Sequence, residues 1–179
     1  MDEIESRVKV GWDLFKIRQV LIQGGHHPEL GIEYYEDAFS MIRKKFPQTG
    51  VHGLSTSEID TIAKVEKSST REVLSRLKEA GLQSLPGAGA EILTDRVKEI
   101  ISPKKITSNE WLRIMEEAHL LGIPASATMM YGHVESNEDI AEHLTKIVQL
   151  QKNTSGFMSF IPWSFDPNNN PVSYTHLLA

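Results

Sequence analysis

The sequence predicts an α/β protein in which parallel strands are joined by helical crossovers. Two observations point there. Short apolar runs break into glycine or polar residues, and amphipathic stretches separate them. This strand–helix unit also recurs at roughly 30 residues, the length of one parallel crossover. An open doubly wound sheet and a (β/α) barrel both satisfy that period. In either, ligands bind at the C-terminal ends of the strands.

The elements follow in order. Ile4, Val8, Trp12 and Phe15 fall on one stripe of a first helix, interrupted by Gly11. The run Val20–Ile22 is a short strand that ends in Gln23-Gly24-Gly25-His26-His27-Pro28. The two glycines leave the backbone open to close approach by a ligand, and Pro28 makes the segment a loop. A second helix presents Tyr35, Ala38, Phe39, Ile42 and Phe46, and Pro47 closes it. The strand Val51–Leu54 opens into Ser55-Thr56-Ser57-Glu58, a capping box that starts a third helix. Ser69-Thr70-Arg71-Glu72 is a second box, before a helix carrying Val73, Leu74, Leu77 and Ala80 and stopped at Gly81. Leu82–Leu85 is the next strand, ending in Pro86-Gly87-Ala88-Gly89-Ala90-Glu91. Thr107 to Glu110 caps a helix that buries Trp111, Ile114, Met115, Ala118 and Leu121. The strand Ala125–Met130 follows Pro124. Ser136 to Asp139 starts a helix bearing Ile140, Leu144, Ile147 and Val148. The last strand is Phe157–Ile161, ending at Pro162-Trp163.

Composition narrows the function. The chain has 179 residues, enough for one domain with a sizeable core, and 40% hydrophobic with 24% charged residues is ordinary globular composition. A net charge of −5 argues against a dedicated nucleic-acid binder. No apolar run reaches the ~20 residues that cross a bilayer. The sequence contains no cysteine, so no disulfide or thiolate metal site is built from these residues.

The strand-end loops hold the candidate chemistry. His26, His27, His52 and His133 lie at strand ends, although adjacent histidines rarely chelate one metal, and ordinary loop hydrogen bonding is the plainer account of them. His119 and His143 fall within helices and are read as structural or surface residues. Gly87-Ala88-Gly89-Ala90 lacks the rest of a dinucleotide fingerprint and has no phosphate-binding lysine after it, so a tight turn explains it equally well. Glu58, Glu91 and Glu135 each stand near a strand end. Together they would suit a hydroxylated or cationic ligand, and singly they are ordinary helix-start acids.

The segments LIQGGHHPELGIEYYEDAF, SLPGAGAEIL, ISPKKITSNEW, ATMMYGHVE and FIPWSFDPNNNP, in this order, resemble radical SAM enzymes of the futalosine route to menaquinone. The resemblance covers residues 1–171 and is nearest to the enzymes that cyclise dehypoxanthine futalosine. Aminodeoxyfutalosine-forming and deazaflavin (FO)-forming enzymes are the alternatives, and an inactive, cluster-free barrel piece is a third.

The resemblance implies an incomplete radical SAM (β/α) TIM-like barrel of about five parallel strands with crossover helices. It implies S-adenosylmethionine and a 4Fe–4S cluster as cofactors, with the cluster's CxxxCxxC ligands outside this chain and no metal ligands within it. Gln23, Gly24 and Gly25 take the place of the segment whose backbone meets the methionine amino group. Thr128 to Glu135 resembles the G-x-I-x-G-x-x-E segment along the adenine. Gly132 and Glu135 match there, while Thr128 and Met130 replace the first glycine and the isoleucine. Ser55 and Glu91 fall where such enzymes touch the ribose or methionine part. Glu58 and Trp163 are candidates for substrate contact, Trp163 by packing on an aromatic or nucleoside face. His26, His27, Tyr131 and His133 are candidates for the base.

The implied reaction takes a hydrogen atom from the substrate ribose with a 5′-deoxyadenosyl radical and closes the sugar onto the substrate's own aromatic ring. The implied setting is a cytoplasmic enzyme with a small nucleoside substrate and no nucleic-acid or membrane partner. Without cluster cysteines the chain alone is expected to be inactive, and it reads as a fragment. Residues 172–179 depart from the family pattern and are expected to be a non-native tail.

Overall fold

The computed structural model describes residues 1–166; the expected boundary at Pro171 and the expected tail 172–179 lie outside the described residues. The described elements are α1 (Asp2–Phe15), β1 (Gln19–Ile22), α2 (Ile32–Lys45), β2 (Gly50–Gly53), α3 (Thr56–Glu66), α4 (Thr70–Ala80), β3 (Leu82–Ser84), α5 (Asp95–Ile101), α6 (Ser108–Leu120), β4 (Ala125–Tyr131), α7 (Asn137–Thr154) and β5 (Phe157–Ser164).

Strand order decides between the two architectures. β1, β2 and β3 pair in sequence and in parallel, as do β4 and β5. Leu85 bridges to Ala125 and joins the two sheets edge to edge, through Leu85 N–H to Pro124 C=O at 3.0 Å and Ser126 N–H to Leu85 C=O at 2.9 Å. The order is therefore 1-2-3-4-5 with no reversal. A doubly wound sheet reverses at its switch point, whereas a (β/α) barrel advances one strand at a time. The chain forms a barrel arc of five strands.

Each strand has two unlike faces, because successive side chains alternate. Val20, Val51, Leu82, Ala125 and Ala127 pack into the main core with Phe39, Leu74, Leu77, Trp111 and Ile114 from the helices. The opposite face carries Leu21 and His52 in register, and an irregularity in the β2–β3 pairing, which skips Gln83, brings Ser84 beside His52, with the His52 ring nitrogen Nδ1 2.7 Å from Ser84 Oγ. This inner face is bare enough to leave Leu21 61% exposed.

Three of the four capping motifs form full boxes, at Ser55, Thr107 and Ser136. The Ser69 motif forms only half of one. Ser69 Oγ accepts from Glu72 N–H, but the Glu72 carboxylate turns to Ser68 Oγ instead. Other expectations also shift. Phe15 is 75% exposed rather than on a buried stripe. Leu144 and Val148 are exposed on α7, which buries His143, Ile147 and Leu150. Helix α5 has only seven residues, too short for a periodic signal, and was not expected. β5 runs on through Pro162 and Trp163 to Ser164; as the arc's last strand, its outer edge requires no N–H from Pro162.

Both helical histidines are structural. His143 is fully buried, and its Nδ1 accepts from Leu93 N–H at 3.0 Å. His119 Nδ1 lies 2.7 Å from Thr154 Oγ1, its ring edge against Phe157. Burial holds both rings down to a pKa of about 4. The unfolded chain, with ordinary histidines, binds more protons between about pH 6.5 and 4. Stability should therefore be fully present above pH 6.5 and fall as pH drops through that window, by roughly 3 kcal/mol for His143. Urea denaturation across this pH range should show the slope, and His143→Gln should make it shallower, leaving the His119 contribution. An unchanged slope in the variant would contradict the assignment.

Candidate functional site

The C-terminal ends of β1, β2 and β3 enclose a cleft of about 390 Å³. It is lined by Gln23, Gly24, Gly25, His26, Ser55, Ser57, Glu58, Ala88, Gly89 and Lys105. Its walls are built from three loops, each with its own hydrogen-bond accounting.

The first wall is the glycine loop after β1. Gly24 N–H donates to Glu58 Oε1 at 2.8 Å, and His27 N–H closes a tight turn onto Gly25 C=O. A β-carbon on Gly25 would meet nothing within 4 Å, so this backbone faces open space. The second wall is the start of α3. Glu58 Oε2 accepts from Ser55 N–H at 2.7 Å and from Ser55 Oγ at 2.8 Å. The Glu58 carboxylate is buried and joins two neighbouring strand ends. Leu54, directly before Ser55, adopts a left-handed φ of 62° although fully buried, a conformation that costs energy in a non-glycine residue.

The third wall is the loop Pro86–Glu91, held from three elements. Gly87 N–H donates to Ser126 Oγ, and Thr128 Oγ1 donates to Gly87 C=O. Trp111 Nε1–H donates to Ala88 C=O at 3.2 Å, and Lys98 Nζ donates to Gly89 C=O at 2.8 Å. Lys98 lies on α5 and is buried, and desolvation lowers its pKa. Glu91, with a left-handed φ of 43°, pairs with Lys105 and accepts Met130 N–H on its own carbonyl.

The end of β4 forms a separate tight turn. Gly132, at φ 90°, and His133 both donate their N–H groups to the Glu135 carboxylate. Burial pushes that carboxyl up, but these amides together hold it below its ordinary value. His133 is enclosed: Nδ1 accepts from Val134 N–H at 2.7 Å, and Nε2 lies 3.0 Å from Met130 C=O.

The cleft therefore gathers Gln23, Gly24, Gly25, His26, Ser55 and Glu58 from the expected set, with Glu91 reaching it through Lys105. Thr128 and Met130 share the inner face of β4. Trp163, paired with Met130, stands on the same face of β5. The other candidate bases lie elsewhere. His27 is exposed outside the cleft and accepts from Glu29 N–H, while His133 is spent on its own turn. Tyr131 has the parity of Ala127 and Met129, which face the helices. Ser57 and Lys105 were not singled out in the sequence, and Ala88 and Gly89 were weighed there only as a tight turn or an incomplete phosphate loop. Ser57 was hidden inside a capping motif, and Lys105 lay unremarked inside the ISPKKITSNEW segment.

The chemistry of the donors fits one implied cofactor and not the other. A polar cleft with open glycine backbone and buried, unpartnered Ser57 and Thr56 hydroxyls suits the amino-acid end of S-adenosylmethionine. An iron–sulfur cluster has no thiolate here, and the described residues contain no group of three or more His, Asp or Glu placed to hold a metal.

Comparison with known proteins places the chain. Residues 1–147 match the family model described as the radical SAM superfamily. The chain is 45% identical over 152 residues to cyclic dehypoxanthine futalosine synthase of Streptomyces coelicolor, covering 85% of this chain and 38% of that protein. It is 39% identical over 173 residues to aminodeoxyfutalosine synthase of Thermus thermophilus, covering 97% of this chain and 46% of the relative. It is 41% identical over 172 residues to 5-amino-6-(D-ribitylamino)uracil–L-tyrosine 4-hydroxyphenyl transferase 1 of Methanosarcina barkeri, covering 96% and 46%. The chain spans less than half the length of these relatives.

Two glycines separate close packing from ligand access. A β-carbon on Gly87 would sit 2.7 Å from Ser126 C=O and 2.8 Å from the Thr128 nitrogen. Gly87→Ala should therefore lower stability by about 1–3 kcal/mol, while Gly25→Ala, facing open space, should change it by less than about 0.5 kcal/mol. Thermal denaturation of the two variants checks this; equal losses would contradict the geometry.

The chain belongs to the radical SAM superfamily.

Proposed function

We propose that this radical SAM chain is part of an enzyme that cyclises dehypoxanthine futalosine in menaquinone biosynthesis. Support comes from the 45% identity to the Streptomyces enzyme of that name and from a polar cleft at the strand ends, where this fold places its ligands. The observation that carries the cofactor reading is the open Gly25 backbone in the same cleft as unpartnered Ser57.

When bound, S-adenosylmethionine supplies a carbon radical that removes a hydrogen atom from the substrate. The chain's own residues bind and orient. The main chain of Gln23, Gly24 and Gly25 receives the amino-acid end, with Ser55 and Glu91 beside it. Glu58 acts through the glycine loop that it holds rather than by touching substrate. Thr128, Met130 and the Gly132–Glu135 turn would hold the adenine. Trp163 offers an aromatic face beside Met130. His26, which lines the cleft, is the proton acceptor for ring closure.

The 179-residue chain lacks thiolates for the cluster. It should form no 5′-deoxyadenosine after iron–sulfur reconstitution, and formation above background would contradict this. The same segment joined to a cysteine-bearing radical SAM N-terminus should consume dehypoxanthine futalosine. Turnover of L-tyrosine with 5-amino-6-(D-ribitylamino)uracil instead would favour the transferase-like relatives and overturn the assignment.

A further inference from the structure

We propose that His52 is a substrate-contact residue on the inner face of the arc, positioned by Ser84, and that its Nε2 accepts a hydrogen bond from a sugar hydroxyl. The inference rests on the functional reading above, which places the substrate inside the arc. Among the described strand residues, the titratable side chains are His52 and Tyr131, and Tyr131 has helix-facing parity. His52 alone brings titratable chemistry to the inner face of the strands.

The pairing of β2 with β3 builds this position. Val51 pairs with Leu82, so an even register would set His52 beside Gln83. The register shifts instead, skips Gln83 and sets His52 beside Ser84. Irregularities of this kind re-aim side chains and are over-represented next to active sites. Ser84 is buried, and its hydroxyl lies 2.7 Å from His52 Nδ1.

The far end of the ring separates His52 from the structural histidines. His119 and His143 also have a partner at Nδ1, but their Nε2 atoms are sealed in the protein without one. His52 Nε2 has no hydrogen-bond partner among the described residues and is not sealed, since the half-buried ring borders the bare inner face. Burial lowers the ring's pKa below its ordinary value, against a backbone hydrogen bond to Ser84 that favours protonation. The imidazole is therefore neutral at neutral pH. Its single proton sits on Nδ1, toward Ser84, which leaves the lone pair of Nε2 facing the interior. Such an acceptor suits a hydroxyl and offers nothing to a carboxylate, which has no proton to give. Two sources carry suitable hydroxyls: the ribose of dehypoxanthine futalosine, and the ribityl chain in the name of the Methanosarcina relative.

The test combines calorimetric titration of the 179-residue chain with nitrogen NMR of its imidazoles. Dehypoxanthine futalosine should bind and shift the His52 Nε2 resonance. His52→Asn places an amide near the Nδ1 position and nothing at Nε2, and should weaken binding about three- to tenfold. His52→Gln, whose amide reaches the Nε2 position, should weaken it by less than about twofold. Ser84→Ala should move the ring proton toward Nε2, a change in the nitrogen spectrum that loss of packing alone would not cause. Binding of S-adenosylmethionine should respond to neither His52 variant. The same pattern with 5-amino-6-(D-ribitylamino)uracil instead supports the contact and overturns the reading of the substrate. Binding of dehypoxanthine futalosine that ignores His52→Asn and leaves the His52 resonance unmoved overturns the contact and leaves that reading standing. No binding of either hydroxylated probe by folded chain overturns both.

Discussion

The Glu58 carboxylate is the constraint on which the site depends. It is buried, and its two oxygens accept from Gly24 N–H, Ser55 N–H and Ser55 Oγ. Helix capping alone needs only the Ser55 contacts. The reach to Gly24 couples the end of β1 to the start of α3, so the same side chain that begins a helix also sets the path of the glycine loop. Charge-assisted hydrogen bonds of this kind are worth more than neutral ones. Burial keeps water from replacing them. The left-handed Leu54 next to this clamp and the left-handed Glu91 across the cleft are the non-glycine residues at strand ends with positive φ. The remaining three, Lys16, Lys67 and Ser155, are ordinary helix C-caps. Among the described residues, the non-glycine positive φ values outside helix caps therefore fall in the loops around the site, where the packing around them overrides the strain.

The arc of strands divides labour between its two faces. Helices bury Val51, Leu82, Ala125 and Ala127 and supply the cohesion. The inner face is left to polar and accessible groups such as His52 and Ser84. The loop Pro86–Glu91 crosses between these roles. Its carbonyls are bound by Thr128, Trp111 and Lys98, so a segment rich in glycine and alanine is rigid, and Gly87 is pressed against the backbone of β4. Rigidity there comes from tertiary hydrogen bonds rather than local propensity.

The legible parts of the sequence were those with a period or a cap. Strand positions were close to the structure, and Ser55, Thr107 and Ser136 capped as their spacing predicted. Less local features were not legible. Helix α5 was too short to show a face, yet it supplies Lys98 to the site loop. Lys105 gains meaning only when Glu91 is brought beside it. Motif position made His133 and Tyr131 two of four candidates for the base, but it could not show what surrounds them in the fold. One ring is consumed by its own turn, and the other side chain lies on the helix-facing side. The Ser69 motif shows the same limit, since its glutamate found a nearer partner in Ser68.

The most direct test of the central claim is amide chemical-shift mapping of S-adenosylmethionine on isotopically labelled 179-residue chain. The account predicts the largest changes at Gly24, Gly25, Ser57 and Gly89, with smaller ones along Thr128 to Gly132. Changes concentrated instead between α7 and β5, around Leu144, Val148 and Phe160, would place the ligand on the outer face and contradict it.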